Sequence, residues 1–149
     1  MYTHILLPTD GSRLSGKAIK QGIQLAKSLG ASVTAFNVVL PYQQLMMDDG
    51  LMAATTVDFQ KRFYEDSLKR SNLIVDKIKA EAKAVGVECE GIATTSSVPY
   101  EAIVKQARKS KCDLIMMASH GRKGLSSILL GSETSKVLTH STVPVLVVR

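Results

Sequence analysis

From Ile5 to Val148 the chain alternates short apolar runs with longer stretches whose apolar residues recur every three or four positions. Runs of that length suit strands, stretches of that period suit amphipathic helices, and regular alternation of the two leaves few folds open. Ile5-Leu6-Leu7 is the first run and ends at Pro8. Thr9-Asp10-Gly11-Ser12 breaks it, and both Asp10 and Ser12 are good helix caps. Leu14, Ala18, Gly22, Leu25, Ala26 and Leu29 share one helix face over 13–29, and Gly30 closes that helix. The run Val33–Leu40 follows, stopped by Pro41. Strand, helix, strand is the unit of a parallel sheet.

The rest of the chain extends the pattern. Residues 41–55 show no period and read as an excursion open to ordering by a ligand or partner. Tyr64, Leu68, Ser71, Val75, Ile78, Ala82 and Val85 line one face of a long helix over 57–85. An alternating stretch at 87–94 reads as an edge strand. Pro99 and Glu101 open a further helix, with Ile103, Val104 and Ala107 inward. Strand 114–118, a helix over about 132–140 and strand 143–148 complete the chain, and Pro144 suits a strand with one free edge. The expected fold is α/β: one domain over 1–149, with a doubly wound, open, five-stranded parallel sheet of order 3-2-1-4-5 and helices on both faces.

Composition narrows the function classes. An apolar fraction of 45% over 149 residues supports a core and excludes disorder. No apolar run approaches the roughly 18 residues of a membrane span, so no membrane partner is expected. Met1–Pro8 lacks a basic n-region and a long h-region, so a signal peptide is not expected. Cys89 and Cys112 are far apart, without CxxC spacing; that points to reduced thiols in a cytoplasm, not to a disulfide or a zinc site. His4, His120 and His140 form no metal set in this topology, and no Ser-His-Asp or Cys-His arrangement is implied. The net charge of +6 is uneven: residues 101–149 hold eight bases and three acids. A basic end suits an anionic ligand, while scattered lysines suit a solvated face equally well. Nucleic acid is not expected, because no basic run is interleaved with aromatics.

In doubly wound sheets, ligands bind beyond the C-terminal ends of the strands, where the strand order switches. There two loops would face one crevice. The first is Pro8-Thr9-Asp10-Gly11, and the second runs from Ala118-Ser119-His120-Gly121-Arg122 to Gly131-Ser132-Glu133-Thr134. Strand, Gly-rich loop and helix N-terminus together present backbone N–H groups to a phosphate, although the same glycines could merely punctuate turns. Asp10 could accept the hydroxyls of a ribose or simply cap the first helix. His120 could touch a ligand or be solvated. Gly11-Ser12-Arg13-Leu14-Ser15-Gly16-Lys17 matches G-x-x-x-x-G-K, but Ala18 replaces the Ser or Thr that would hold magnesium. Gly16-Lys17 also falls inside the first helix, so this stretch is not a phosphate loop.

Asp10 after strand one, the S-H-G-x9-G-S loop after strand four and the ending Val143–Val148 together resemble the universal stress protein family, over essentially the whole chain. Nucleotide-binding members carry G-x2-G-x9-G-[S/T]. Here Ala118 takes the first position, while Gly121, Gly131 and Ser132 match. The resemblance implies an adenine nucleotide, ATP or AMP, with Mg2+ admitted as a companion, bound as a regulatory ligand in a cytoplasmic stress response. It implies that Pro8, Thr9 and Asp10 meet adenine and ribose and that the Val38 backbone reads the adenine edge. Ala118, Ser119, His120, Gly121 and Arg122 would pass along the ribose and α-phosphate. Gly131, Ser132, Glu133 and Thr134 would hold the outer phosphates by N–H groups and hydroxyls. It further implies a homodimer through strand 143–148, which would also cover an exposed apolar edge. No catalytic residue is expected, since no general base or second metal carboxylate accompanies the loop. The alternative is a dimeric protein–protein interaction module that no longer binds nucleotide, for which Ala118 is the pointer.

Overall fold

A computed structural model describes residues 1–44, 56–121 and 130–149. Most of the expected excursion at 41–55, and Arg122 with the residues up to 129, lie outside them. The elements run β1 (His4–Thr9), α1 (Arg13–Leu29), β2 (Ser32–Val39), α2 (Val57–Ala84), β3 (Cys89–Thr95), α3 (Pro99–Lys109), β4 (Leu114–Ala118), α4 (Ser132–His140) and β5 (Val145–Val148). The sheet is parallel throughout, in the order β3-β2-β1-β4-β5.

Side-chain parity divides the core into two layers. Ile5 and Leu7 of β1 join Leu114 and Met116 of β4 under α1 and α2, where Ala18, Ile23, Val75 and Ile78 cover them. Leu6, Phe36, Ile115 and Met117 point the other way, onto Ile103, Val104 and Ala107 of α3 and Val137 of α4. Both faces of β1 and β4 are therefore buried, which is why their sequences are apolar without alternation. The Met116–Met117 pair is core packing, as its place in an apolar run implies.

The ends of the elements differ from the sequence pattern for local reasons. β1 does not stop at Pro8 but continues to Thr9, paired with β2 through Thr9↔Asn37. Its ladder with β4 covers only Ile5 and Leu6, so Pro8, which has no N–H to give, sits where β1 and β4 part. β3 starts at Cys89 instead of 87, because the Val87 N–H still closes the end of α2 on the Ala82 carbonyl at 2.9 Å. β5 starts at Val145 instead of 143. The Val143 N–H bonds the Ser141 hydroxyl at 3.0 Å, and Pro144 precedes the strand, offering only its carbonyl to the Ile115 N–H at 2.9 Å. Gly16 and Lys17 lie within α1, as the rejection of a phosphate loop requires.

Beneath the N-terminal ends of the strands, Asp113 ties β4 to β1. Its carboxylate accepts from the Thr3 N–H at 2.8 Å, the Thr3 hydroxyl at 2.8 Å and the His4 N–H at 3.0 Å. Burial pushes this carboxyl upward, but those donors outweigh it and hold it below its ordinary value of 3.8. A depressed folded-state pKa gives stability that is present above the unfolded value and lost as pH falls through the folded one. Asp113→Asn is therefore expected to lower the melting temperature at neutral pH and to flatten its decline between about pH 5 and 2. Thermal melts across that range check this, and parallel acid limbs for the two proteins would refute it. Nearby, burial pushes the Cys112 thiol up to about 11, so it stays protonated and behaves as a core residue.

Candidate functional site

The first loop is rigid by its own bonding. Thr9 is buried, and its hydroxyl meets the Ser15 hydroxyl at 2.9 Å while accepting from the Gly11 N–H at 3.1 Å. Gly11 turns the chain at φ +76°. Asp10 accepts from the Ser12 N–H at 2.9 Å, which folds the loop back on itself. Ser12 is the actual cap of α1, accepting from the Ser15 N–H at 3.2 Å. The capping alternative for Asp10 is thus taken by Ser12.

The second loop is anchored at both described ends. The Ser119 N–H donates to the Val148 carbonyl at 2.7 Å, and the Ser119 carbonyl accepts from the Gly131 N–H at 2.8 Å. Gly131 caps α4 with no side chain, so Ser132, Glu133 and Thr134 present their N–H groups ahead of the first intrahelical bond, Ser135 to Gly131. A Cβ at Gly131 would stand 3.1 Å from the Ser119 carbonyl and 3.2 Å from His120 Cα. A Cβ at Gly121 would stand 2.5 Å from Asp10 Oδ2. The two loops therefore meet, with a carboxylate lying against bare backbone.

Between them opens a cleft of about 1080 Å³ at the C-terminal ends of the strands. Of the expected site residues, Pro8, Thr9, Asp10, Val38, Ala118, His120, Gly121, Gly131, Ser132, Glu133 and Thr134 line it. Ser119 does not: it is 3% exposed and acts through its main chain, with its hydroxyl 3.1 Å from His120 Nδ1. Ala118 is 6% exposed and counts among the apolar cluster under α1.

The side chains of Thr134 and Glu133 are engaged within the fold. The Thr134 hydroxyl, expected on a phosphate, donates instead to the Ala118 carbonyl at 2.9 Å and fastens α4 to β4. The Glu133 carboxylate accepts from the Tyr100 N–H at 2.9 Å and pairs with Lys136 at 3.1 Å, so it caps α3 across the gap. Toward a ligand these two positions offer N–H groups.

Helix α2 supplies a wall that the loop motifs did not mark. Phe63, Ser67, Arg70, Ser71 and Ile74 line the cleft from it, and Asn37 lines the floor. Arg70 is the one Lys or Arg among the described lining residues, and it donates to the Ser67 hydroxyl at 3.1 Å. The signal for Asn37 and Ser71 was present: each is a polar residue at a core position of an otherwise apolar pattern. Among the described residues, no group of three His, Cys, Asp or Glu side chains converges to hold a metal ion. The cleft thus offers an acceptor for hydroxyls on one side and an N–H cradle on the other, with apolar strand ends between them.

The model of the universal stress protein family matches residues 1–149. Universal stress protein MJ0531 of Methanocaldococcus jannaschii is 35% identical over 100% of this chain and 83% of its own length. The solved structure of MJ0577, a universal stress protein of the same organism, is similar with a TM-score of 0.82 at 30% identity, covering 99% of this chain and 96% of that one. A universal stress protein solved in complex with cAMP gives a TM-score of 0.71 at 23% identity, over 99% of this chain and 97% of its own; at that identity the likeness is one of fold.

Proposed function

Because the chain belongs to the universal stress protein family, we propose that it binds an adenine nucleotide in this cleft and acts as a nucleotide-responsive regulatory protein. One observation carries the reading. At Gly121 an added Cβ would overlap Asp10 Oδ2 at 2.5 Å, so the backbone of the second loop lies directly against the carboxylate of the first, and the two loops meet at the C-terminal ends of the strands. Asp10 would take the ribose, the strand end at Val38 the base, and the start of α4 the phosphates. Mg2+ enters only as the companion of a di- or triphosphate. The cAMP complex of a protein of the same fold supports the ligand class and leaves the contacts to this chain's own residues. A single domain over 1–149, pairing of two copies along β5 and a cytoplasmic setting belong to the same proposal. Calorimetric titration with ATP, ADP and AMP tests it, and no heat of binding at millimolar nucleotide would end it.

The second reading, an interaction module without nucleotide, rests on Ala118. Its methyl is packed with the core cluster, which weakens the case for obstruction. Ala118→Gly is expected to leave nucleotide affinity within about threefold while costing roughly 1 kcal/mol of stability. A tenfold or larger gain in affinity would make the methyl an obstruction and favour the module.

A further inference from the structure

Asn37 is an amide buried in an otherwise apolar strand, 6% exposed, and Ser71 on α2 is buried to 2%. Such groups are costly unless satisfied, and these two satisfy each other. The Ser71 hydroxyl donates to Asn37 Oδ1 at 2.5 Å, and Asn37 Nδ2 donates to the Thr9 carbonyl at 2.6 Å. A pair of apolar residues of the same shape could fill the space at little cost, so stability alone does not call for this chain of bonds.

What the chain does is connect. Thr9 precedes Asp10, and its hydroxyl organises the turn that carries the Asp10 carboxylate. The β1–β4 ladder covers only Ile5 and Leu6, so the far end of β1 is held chiefly from the β2 side. The bond from Asn37 fastens that end to β2, and Ser71 fastens Asn37 to α2.

We propose that Asn37 and Ser71 are positioning residues that set the sugar preference of the cleft. This rests on the nucleotide reading. A carboxylate recognises a vicinal diol when its oxygens meet both hydroxyls at once, and hydrogen bonds weaken steeply with misalignment. With Thr9 fixed, the Asp10 carboxylate takes the 2′- and 3′-hydroxyls together and distinguishes ribose from 2′-deoxyribose. With Thr9 loosened, it follows whichever hydroxyl is present and the distinction fades.

The test titrates wild type and Ser71→Ala with ATP, 2′-deoxy-ATP, AMP and 2′-deoxy-AMP, with Ser71→Thr as the variant that keeps the hydroxyl. Wild type is expected to prefer each ribonucleotide by about tenfold or more, the scale of one hydrogen bond to a charged group. Ser71→Ala should reduce that preference to about twofold, the larger loss falling on the ribonucleotides, and Ser71→Thr should restore it. If Ser71→Ala melts below the titration temperature, Ser71→Cys, which keeps the volume with a weaker donor, takes its place. An undiminished preference in the variant, or equal losses for ribo- and deoxynucleotides, overturns the inference. Wild type that binds none of the four overturns the nucleotide reading itself.

Discussion

Gly131→Val is expected to abolish nucleotide binding, with a loss of at least about a hundredfold by calorimetry under conditions that saturate wild type. The first added carbon would stand 3.1 Å from the Ser119 carbonyl and 3.2 Å from His120 Cα. Both neighbours are main chain, so no side-chain rotation relieves them. The Ser119 carbonyl is also the acceptor of the Gly131 N–H at 2.8 Å, so moving it breaks the bond that aims the start of α4. Valine adds two further methyls and displaces the start of α4, which carries the amides of Ser132, Glu133 and Thr134. Overpacking of this kind costs about 1–3 kcal/mol in stability. Circular dichroism should therefore still report a folded α/β protein. Gly131→Ala grades the effect, with a smaller loss. Unchanged affinity in a folded Gly131→Val protein would remove the cradle from the account.

Asp10→Ala is expected to cost about a hundredfold or more in adenosine affinity, from the loss of two hydrogen bonds to a charged acceptor. The same change removes a negative charge from the cleft and so favours the phosphates, which makes the expected loss smaller for ATP than for adenosine. Asp10→Asn, which keeps an acceptor for the Ser12 N–H, should fall between the two. Some stability should be lost as well, because the Asp10 carboxylate accepts the Ser12 N–H at 2.9 Å, while Ser12 still caps α1. Equal losses for adenosine and ATP, or none, would place the sugar elsewhere.

The fold was legible where both faces of a strand are buried. The runs at 5–7, 33–40 and 114–118 could hardly be anything but interior strands, and parity alone assigns Ile5 and Leu7 to one layer and Leu6 to the other. Strand ends were less legible, because they depend on which partner an N–H finds. Val87 serves the end of α2 and Val143 serves Ser141 before either can join the sheet. Glycine spacing marked where the second loop runs close to its neighbours, at Gly121 and Gly131, but left open whether those glycines serve a ligand or a turn. The tasks of Glu133 and Thr134 were not legible, because their partners, Tyr100 and Ala118, come from other elements. The same holds for the α2 wall. Helical period tells which face of 57–84 is inward, but not which part of that face overhangs the strand ends. Asn37 and Ser71 were visible as polar residues out of place, and only their juxtaposition gave them a meaning.

Ser119 illustrates what side-chain mutagenesis can overlook. Its N–H holds the end of β5 and its carbonyl holds the cap of α4, so one residue joins the last strand of the sheet to the cradle. Both bonds survive Ser119→Ala, and an alanine scan would score the position as indifferent. Replacing the Ser119 amide by an ester, which deletes the donor and weakens the preceding carbonyl without touching any side chain, would expose the joint. Resistance to hydrogen exchange at the Gly131 amide should then fall, although its own donor and its acceptor on Ser119 are untouched, because the two bonds act as a single mechanical link.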